Sequence, residues 1–402
     1  MTCKLMNARL TPHGTELLLA FNMGSTTLKV AAFEAARPGL PLFRLTVELA
    51  SGQTWGSGAV PPLLQAFEPH MDVTDIVTLL VSHAAAPGQV VSVLAHRIVH
   101  GGRYAGPQWL TDEVLQDLED LEPLCPLHQP PALEIIWHLR ALWPELPQAG
   151  LFDTSFHLHQ PALASTYALP APLRAQGVVA HGFHGLSCQH VMRQLQSTQP
   201  LLAGGRVLVA HLGQGASMTA VHHGKSVATS MGFSTLDGLP MGTRAGQLDP
   251  GILLYLLDQG WNKSRLTDLL YHQSGLLGLS GLSADMRELL ASHSDAARFT
   301  VDYFCYRASR MAASLACAME GLDVLVFTGG VGEHQPLLRE KICQRLGWMG
   351  VELDHEANLV GHGMLSTPGS RCRILMLACD EEVEISLQCA DLSMQALRAA
   401  AS

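Results

Sequence analysis

Charged residues and long apolar runs are both scarce in this 402-residue chain. Only 15% of its residues are charged, whereas globular proteins ordinarily have about 25%. The 35 acidic residues outnumber the 25 basic ones, giving a formal net charge of −10. Because a negative chain has little affinity for other polyanions, we expect neither nucleic acid nor a membrane surface as partner. No strictly apolar run exceeds six residues, and a spanning helix needs about twenty, so no membrane span is expected.

Paired cysteines and the usual metal-binding spacings are also missing. The nine cysteines include no CxxC pair, which suits a reducing compartment. The N-terminal MTCKLMNARLTPHG lacks the apolar core of a secretion signal, so we expect a cytoplasmic protein. Several of the twenty histidines cluster at 157–159 and 181–190. Neither CxxC nor HExxH occurs, so a zinc site is not favoured.

An internal repeat predicts the domain organisation. The chain is 48% hydrophobic, and its length favours two domains. LLLAFNMGSTTLKVAAFE (17–34) and VLVAHLGQGASMTAVHHGKSV (207–227) both read as strand, turn and strand, about 190 residues apart. That separation matches one domain, so we expect two related α/β halves, each opening with a hairpin whose turn faces a shared cleft, with a boundary near residue 153.

Three glycine- or hydroxyl-rich segments have the composition of anion-binding loops. NMGSTTLK (22–29) combines hydroxyls and backbone donors with one lysine, but the Walker pattern GxxxxGK[ST] is absent, and a plain polar hairpin turn is an alternative. DVLVFTGGVGEHQP (323–336) reads as strand, glycine-rich turn and helix. Such a turn suits an anion because its free N–H groups can point at the ligand. HLGQGAS (211–217) places a histidine beside two glycines.

Two arginines and several histidines lie in similar settings. Arg97 occurs in HRIVHGG and Arg244 in GLPMGTRAGQLDP. Each could bind a carboxylate or phosphate, or only form a surface ion pair. His128 lies in the proline-stiffened PLCPLHQPP, and His184 in HGFHG.

Acidic residues follow two strand-like runs. Asp153 begins DTSFH, and DEE (380–382) follows RILMLA. These carboxylates could hold Mg²⁺, or merely cap a helix or face solvent. Phosphoryl transfer needs positioning and charge neutralisation more than covalent chemistry. The arginines, histidines, anion loops and carboxylates together therefore predict an enzyme that transfers a phosphoryl group.

Read in order, these segments resemble the acetate kinase family, within the acetate and sugar kinase/actin-like ATPase superfamily. The similarity covers nearly the whole chain and includes SGLLGLSGLSADMR (274–287) and FTGGVGE (327–333). It implies an α/β, duplicated ribonuclease-H-like fold with two domains around a central cleft. The first domain would comprise residues 1–152 with 384–402, and the second, nucleotide-binding domain residues 153–383. It further implies a homodimer that transfers phosphate reversibly between ATP and acetate with Mg²⁺ or Mn²⁺.

The resemblance also implies roles for individual residues. Arg97 and Arg244 would neutralise the acyl carboxylate and the migrating phosphoryl group, and His184 would stabilise the transition state. Asn22 and Glu381 would organise Mg²⁺, and Asp153 would help to hold it and to orient acetate. An apolar pocket for the acetate methyl is implied at Val99, Leu127 and Phe183. Phosphate and nucleotide contacts are implied at Lys29, His128, His211, Gly213, Gln214, Gly215, Asp285, Met286, Arg287, Gly330, Val331 and Gly332.

Some positions depart from the family's usual residues and leave alternatives open. Asn is usual where this chain has Gln129, Gln214, His334 and Asp380; Asp is usual at Gln247, Tyr at His181 and Pro at Thr235. Acetate is the favoured acceptor, with propionate or another short-chain carboxylate as alternative. A nucleotide-binding homologue with weakened catalysis and a chaperone- or actin-like ATPase are the other hypotheses.

The acceptor itself bears on the mechanism. A carboxylic acid has a pKa of about 4 and is already ionised at neutral pH, so no general base is needed. We favour direct in-line transfer over a phosphohistidine at His184, because arginine clamps need no covalent relay.

Overall fold

The computed structural model describes residues 14–24 and 27–401. The chain divides into two compact units, between Phe152 and Asp153 and again between Asp380 and Glu381. The helix that starts at Glu381 packs on the sheet of the first unit. The second division therefore lies at the start of that helix, slightly before the 383/384 boundary expected from the sequence.

The first unit is built on a seven-stranded sheet with the order β4-β3-β2-β1-β5-β7-β6. β1 to β4 are antiparallel neighbours, and β1, β5 and β7 are parallel. Its strands are β1 Thr15–Met23, β2 Thr27–Glu34, β3 Pro41–Glu48, β4 Thr54–Gly58, β5 Gln89–Ile98, β6 Gln108–Trp109 and β7 Gln148–Phe152. Its helices are α1 Val73–His83, α2 Asp112–Glu119, α3 Gln129–Leu142 and the C-terminal helix Glu381–Ala401.

Local sequence explains where these helices begin. The side chain of Asp72 accepts from Thr74 N before α1, and Thr111 accepts from Val114 N before α2, as N-cap residues do. α3 begins at Gln129, so the last two of the four prolines of PLCPLHQPP, Pro130 and Pro131, lie in its first turn. Proline suits that position because its missing N–H would be unpaired there anyway. The segment expected as a loop is therefore partly helical.

The second unit is built on a six-stranded sheet with the order β10-β9-β8-β11-β13-β12. β8, β9 and β10 are antiparallel neighbours, and β8, β11 and β13 are parallel. Its strands are β8 Arg206–Leu212, β9 Ala216–His222, β10 Lys225–Thr229, β11 Val324–Thr328, β12 Gly363–Met364 and β13 Arg373–Met376. Its helices are α4 Ala162–Ser165, α5 Ala171–Ala175, α6 Gly185–Thr198, α7 Pro200–Ala203, α8 Pro250–Asp258, α9 Lys263–His272, α10 Gly275–Ser280, α11 Met286–Ala291, α12 Asp295–Ala318, α13 Gly329–His334, α14 Pro336–Arg345 and α15 His355–Val360.

The two sheets share one topology. The strands β3-β2-β1-β5-β7 and β10-β9-β8-β11-β13 have the same order and the same directions. An antiparallel hairpin beside two parallel strands is the arrangement of the ribonuclease-H-like fold, and it occurs once in each unit. The duplication predicted from the repeated hairpin sequences is therefore confirmed.

The glycine-rich segment after β11 differs from its expected form. Gly329 has a φ of 76°, which favours glycine because a Cβ strains that conformation. The residues that follow form the short helix α13 rather than an extended turn. Within the described residues, no helix is both long and apolar enough to cross a membrane.

Candidate active site

In the first unit, the end of β1 carries a buried amide surrounded by charged side chains. Asn22 Nδ2 donates to Glu381 Oε2 over 2.9 Å and to Glu382 Oε1 over 2.7 Å. Its Oδ1 accepts from Arg97 Nη1 over 3.0 Å. β5, which carries Arg97, is the parallel neighbour of β1. The structure thus brings together Asn22, Arg97 and Glu381. It adds Glu382, which the sequence analysis named within DEE without giving it an individual role.

The Arg97 guanidinium is held from more than one side. Its Nε lies 3.8 Å from Glu381 Oε2, and the two side chains are only 13% and 15% exposed. Arg44 Nη1 lies 3.8 Å from the other acidic side chain, Glu382. Partly buried charge-assisted contacts are stronger and better oriented than exposed ones. These contacts therefore hold the Arg97 guanidinium in one orientation, whereas the guanidinium of an exposed arginine would be mobile.

The same cluster fits the donor chemistry of Mg²⁺. This ion takes hard oxygen ligands and is often held by one or two carboxylates together with substrate phosphates. Glu381 and Glu382 supply such carboxylates beside Asn22, whose amide nitrogen faces them while its oxygen faces Arg97. No set of three or more His, Cys, Asp or Glu side chains in the described part of the chain could hold a metal by itself. The protein thus offers an incomplete oxygen site, of the kind that phosphate oxygens complete.

Lys29 lies next to this cluster. It pairs with Asn22 across the β1–β2 hairpin, and residues directly opposite in an antiparallel pair share one face of the sheet. Its side chain is exposed. Ser25 and Thr26, the hydroxyl residues of the same predicted phosphate turn, lie outside the described residues.

The remaining first-unit candidates follow β5 or precede α3. Val99 is buried, and Leu127 and His128 are partly buried. Gln129 is fully buried; its Nε2 donates to the carbonyls of His100 and Leu118, and its Oε1 accepts from His100 N. This glutamine therefore fastens the backbone that follows Arg97 and Val99, which gives the departure from Asn a structural function.

In the second unit, two histidines stack beside two serines. His184 Nδ1 lies 2.8 Å from Ser217 Oγ on β9. His211 Nδ1, on β8, lies 2.7 Å from Ser187 Oγ on α6. The two imidazole rings stack with centroids 4.5 Å apart. Each serine sets the orientation of one ring, so both histidines are positioned before any ligand arrives.

Arg244 lies near His184, beside Gly215. A Cβ added at Gly215 would lie 3.2 Å from His184 Nε2 and 3.4 Å from Arg244 Nη2. Arg244 Nη1 donates to the carbonyl of Thr235 over 2.9 Å. A glycine between an imidazole and a guanidinium leaves the backbone accessible to a ligand. The arrangement has the donors that bind a phosphoryl group.

Two further candidates lie beside the backbone of His184. Asp153 is fully buried, and its carbonyl accepts from Gly185 N over 2.9 Å. Phe183 is also buried. Both adjoin the segment that presents His184.

A cavity of about 510 Å³ lies in the second unit, a size typical of small-molecule sites. Predicted nucleotide residues form much of its wall: Gly213, Gln214, Asp285, Met286, Arg287, Gly330 and Val331. Gly332 is buried in α13 and is not part of the wall. The sequence analysis missed Met241, Leu276 and Phe304 as apolar wall residues. Hydrogen bonds from Arg287 lower the pKa of Asp285, so this carboxylate is ionised at the cavity wall.

The departures from the usual family residues fall in different places. His334 and Gln214 line the cavity. Gln247 is exposed and accepts from Arg307 through its backbone and side-chain oxygens. Thr235 is buried and supplies the carbonyl that holds Arg244. Of these four residues, His334 and Gln214 are the ones that line the cavity.

Comparison with known proteins agrees with the family resemblance found in the sequence. The sequence model of the Acetokinase family matches residues 17–387. The chain is 41% identical over 387 residues to an acetate kinase of Rhodopseudomonas palustris, covering 92% of this chain and 97% of the relative. An acetate kinase of Methylocella silvestris is 47% identical over 301 residues, 74% of each chain.

Solved structures of the same kind resemble this fold. A propionate kinase from Francisella tularensis aligns with a TM-score of 0.84 and 32% identity, over 93% of this chain and 98% of that one. A Porphyromonas gingivalis acetate kinase aligns with a TM-score of 0.80 and 30% identity, over 95% and 100% of the two chains.

Proposed function

Because this chain belongs to the acetokinase family, whose members are phosphotransferases with a carboxyl acceptor, we propose that it phosphorylates acetate reversibly with ATP and Mg²⁺. One observation carries the proposal. Gly213 and Gln214 line the nucleotide-sized cavity, and the next residue, Gly215, lies against His184 and Arg244. A single loop therefore runs from a cavity for the nucleotide to donors for its last phosphate.

In the second unit, Arg244 and His184 would bind the phosphoryl group in the transition state of its transfer. The transition state spreads negative charge over three oxygens, and fixed donors lower its energy more than mobile water does. Arg244 is held by the Thr235 carbonyl and His184 by Ser217. These contacts support donors that are already aimed when the substrate binds.

In the first unit, Arg97 would bind the carboxylate of the acceptor. Its contacts with Asn22 and Glu381 fix the guanidinium and leave a planar donor of the kind that suits carboxylates. Glu381 with Asn22 would hold Mg²⁺. When bound, Mg²⁺ neutralises charge on the nucleotide phosphates.

The acceptor needs no deprotonation. Acetate is ionised at neutral pH, so its oxygen can attack the last phosphate of ATP directly. The phosphorus–oxygen bond to ADP breaks as the bond to acetate forms, giving acetyl phosphate. In the first unit, the buried Val99 and the partly buried Leu127 would contact the methyl group.

Propionate is the second candidate acceptor. Thr235 stands where the family usually has proline, and it adjoins Arg244 through its carbonyl. One of the similar solved structures described above is a propionate kinase. A methylene group changes binding in an apolar pocket by only about 1–3 kcal/mol, so a preference for acetate would be modest.

Trapping the product tests the proposal. Purified protein, ATP, Mg²⁺ and hydroxylamine are incubated with formate, acetate, propionate or butyrate, and acyl hydroxamate is measured. We expect acetyl hydroxamate in the largest amount, and none without ATP or without acid. Nucleotide binding by calorimetry without hydroxamate from any acid would instead identify a catalytically weakened homologue.

The stereochemistry at phosphorus separates direct transfer from a phosphohistidine. ATP made chiral at its last phosphate gives acetyl phosphate of inverted configuration after one in-line displacement. Two displacements through His184 would give retention. We expect inversion.

We also propose that the protein is a cytoplasmic homodimer. None of the nine residues of α8 is buried, although it carries Ile252, Leu254, Tyr255 and Leu257. An exposed apolar helix face of this kind is typical of an interface. Light scattering after gel filtration should give twice the 43.2 kDa of the chain, and a monomeric mass would refute the dimer. The cytoplasm supplies the proposed co-substrate ATP, and cell fractionation tests that location.

A further inference from the structure

The backbone that presents His184 adopts an unusual conformation. His184 has a φ of 59°, and Gly182 has a φ of 78°. These left-handed residues flank Phe183. A non-glycine residue in this region is uncommon and costs free energy, so it persists only where neighbouring contacts hold it.

Those contacts come from residues 153–157. His157 Nε2 lies 2.9 Å from the carbonyl oxygen of Phe183. A Cβ at Gly182 would lie 2.6 Å from the Cγ of the His157 ring, so the ring packs directly on this glycine. On the other side, Gly185 N donates to the Asp153 carbonyl over 2.9 Å. The segment is therefore clamped on both sides of His184.

Hydrogen bonds define the tautomer of His157. The Phe183 carbonyl can only accept, so His157 Nε2 carries the proton. His157 Nδ1 is then an acceptor, and it lies 2.9 Å from Ser226 Oγ. The hydroxyl of Ser226 donates to it and itself accepts from Gln160 Nε2 over 2.8 Å. Burial lowers the pKa of His157 to about 4, so the ring stays neutral and keeps this tautomer at neutral pH.

We propose that His157 is a positioning residue for His184. It acts through the Phe183 carbonyl and through its packing against Gly182, and Ser226 with Gln160 holds it in the donating tautomer. The inference rests on the proposed function of His184 in phosphoryl transfer. A displacement of a reacting contact by about 1 Å can cost about 10²-fold in rate, which sets the scale of the expected effect.

Substitutions at position 157 separate positioning from stability. His157→Phe keeps the ring volume and removes the donor, whereas His157→Gln keeps an amide N–H that can reach the Phe183 carbonyl. We expect His157→Phe to lower kcat by about 10- to 100-fold with KM for ATP nearly unchanged, and His157→Gln to recover most of kcat.

A matched control comes from the first unit. His138 Nε2 lies 2.8 Å from Thr78 Oγ1. It is therefore also a hydrogen-bonded histidine, although it is partly buried and His157 is buried. His138→Phe should change the melting temperature but not kcat. Equal kcat losses in His138→Phe and His157→Phe would identify a general stability effect and overturn the proposal.

A spectroscopic readout does not depend on activity. In ¹⁵N-histidine-labelled protein, His184→Asn assigns the ring signals of His184. We expect those signals to shift in His157→Phe and in Ser226→Ala, and to return towards wild type in His157→Gln. If His157→Phe does not fold, Ser226→Ala and His157→Gln decide the question. Unshifted His184 signals overturn the positioning role, whereas an inactive wild type with shifted signals overturns only the proposed function.

Discussion

The two halves of this protein have the same strand order but different chemistry after the first strand. In the first unit, Asn22 ends β1 among two carboxylates and a guanidinium. In the second, β8 ends in His211 and Leu212, and the loop beyond them runs past His184 and Arg244. The shared topology places the candidate groups at the end of the same strand in each unit. The side chains at that strand end determine whether it suits a cation or an anion.

The comparison explains how one fold can serve both sides of a phosphoryl transfer. The carboxylates of the first unit suit Mg²⁺, and Glu381 and Asn22 hold Arg97, which we propose binds the acceptor. The imidazoles, glycines and arginine of the second suit phosphate. Duplication supplied two copies of one scaffold, and each copy carries a part of the chemistry that the other lacks.

Loss of either arginine should give the largest effect. Arg97→Ala and Arg244→Ala should each lower kcat by about 10²-fold or more, because each removes a fixed charge that we propose stabilises the transition state. The hydroxamate assay measures this. Arg97→Lys and Arg244→Lys keep the charge but lose the planar fork, and they should recover only part of the rate. Wild-type turnover in both alanine variants would refute the roles proposed for Arg97 and Arg244.

Loss of a first-unit carboxylate should weaken metal use specifically. Glu381→Gln should raise the Mg²⁺ concentration for half-maximal activity by about 10- to 100-fold, the range seen when groups at a metal site are altered. Glu382→Gln is the matched control, since it also contacts Asn22 but pairs with Arg44. A larger rise in this Mg²⁺ concentration for Glu382→Gln would show that Glu382, and not Glu381, holds the metal.

Each half also contains a buried neutral histidine, which predicts the pH dependence of stability. Burial lowers the pKa values of His96 and His157 from 6.5 to about 4. Between these values the unfolded chain binds protons that the folded chain does not, so stability falls as pH drops from about 6.5 to about 4. Each histidine accounts for up to about 3 kcal/mol.

Denaturant unfolding at pH 7 and pH 5 measures this loss. His96→Gln in the first unit and His157→Gln in the second should each make the free energy of unfolding less dependent on pH. An unchanged slope in both variants would show that other groups dominate the titration.

The smallest effect should concern the choice of acid. Thr235→Val replaces a hydroxyl by a methyl of similar size and leaves the carbonyl that holds Arg244. The ratio of kcat/KM for acetate and propionate should change by less than about tenfold, as expected for small changes in an apolar pocket. A change confined to kcat for both acids would show that residue 235 acts on Arg244 instead.

Sequence patterns predicted the duplicated hairpins, because alternation of apolar residues is a local signal. They also predicted the glycine-rich loop of HLGQGAS, because glycine is a local signal too. The family resemblance implied roles for Asn22, Arg97 and Glu381, which β1, β5 and the start of the C-terminal helix bring together. The sequence patterns did not predict Ser187 and Ser217, since a serine that orients a histidine across a sheet has no local signature. The helical form of residues 329–334 was likewise missed, because glycines alone indicate a turn.

A double-mutant cycle on Arg97 and Arg244 tests most directly whether both halves serve one transfer. Kcat for acetyl phosphate formation is measured for wild type, both single alanine variants and the double variant, all purified from a host without its own acetate kinase. Residues that serve one transition state are strongly non-additive, so the double variant should lose little more than the worse single variant. Losses that multiply would contradict the account.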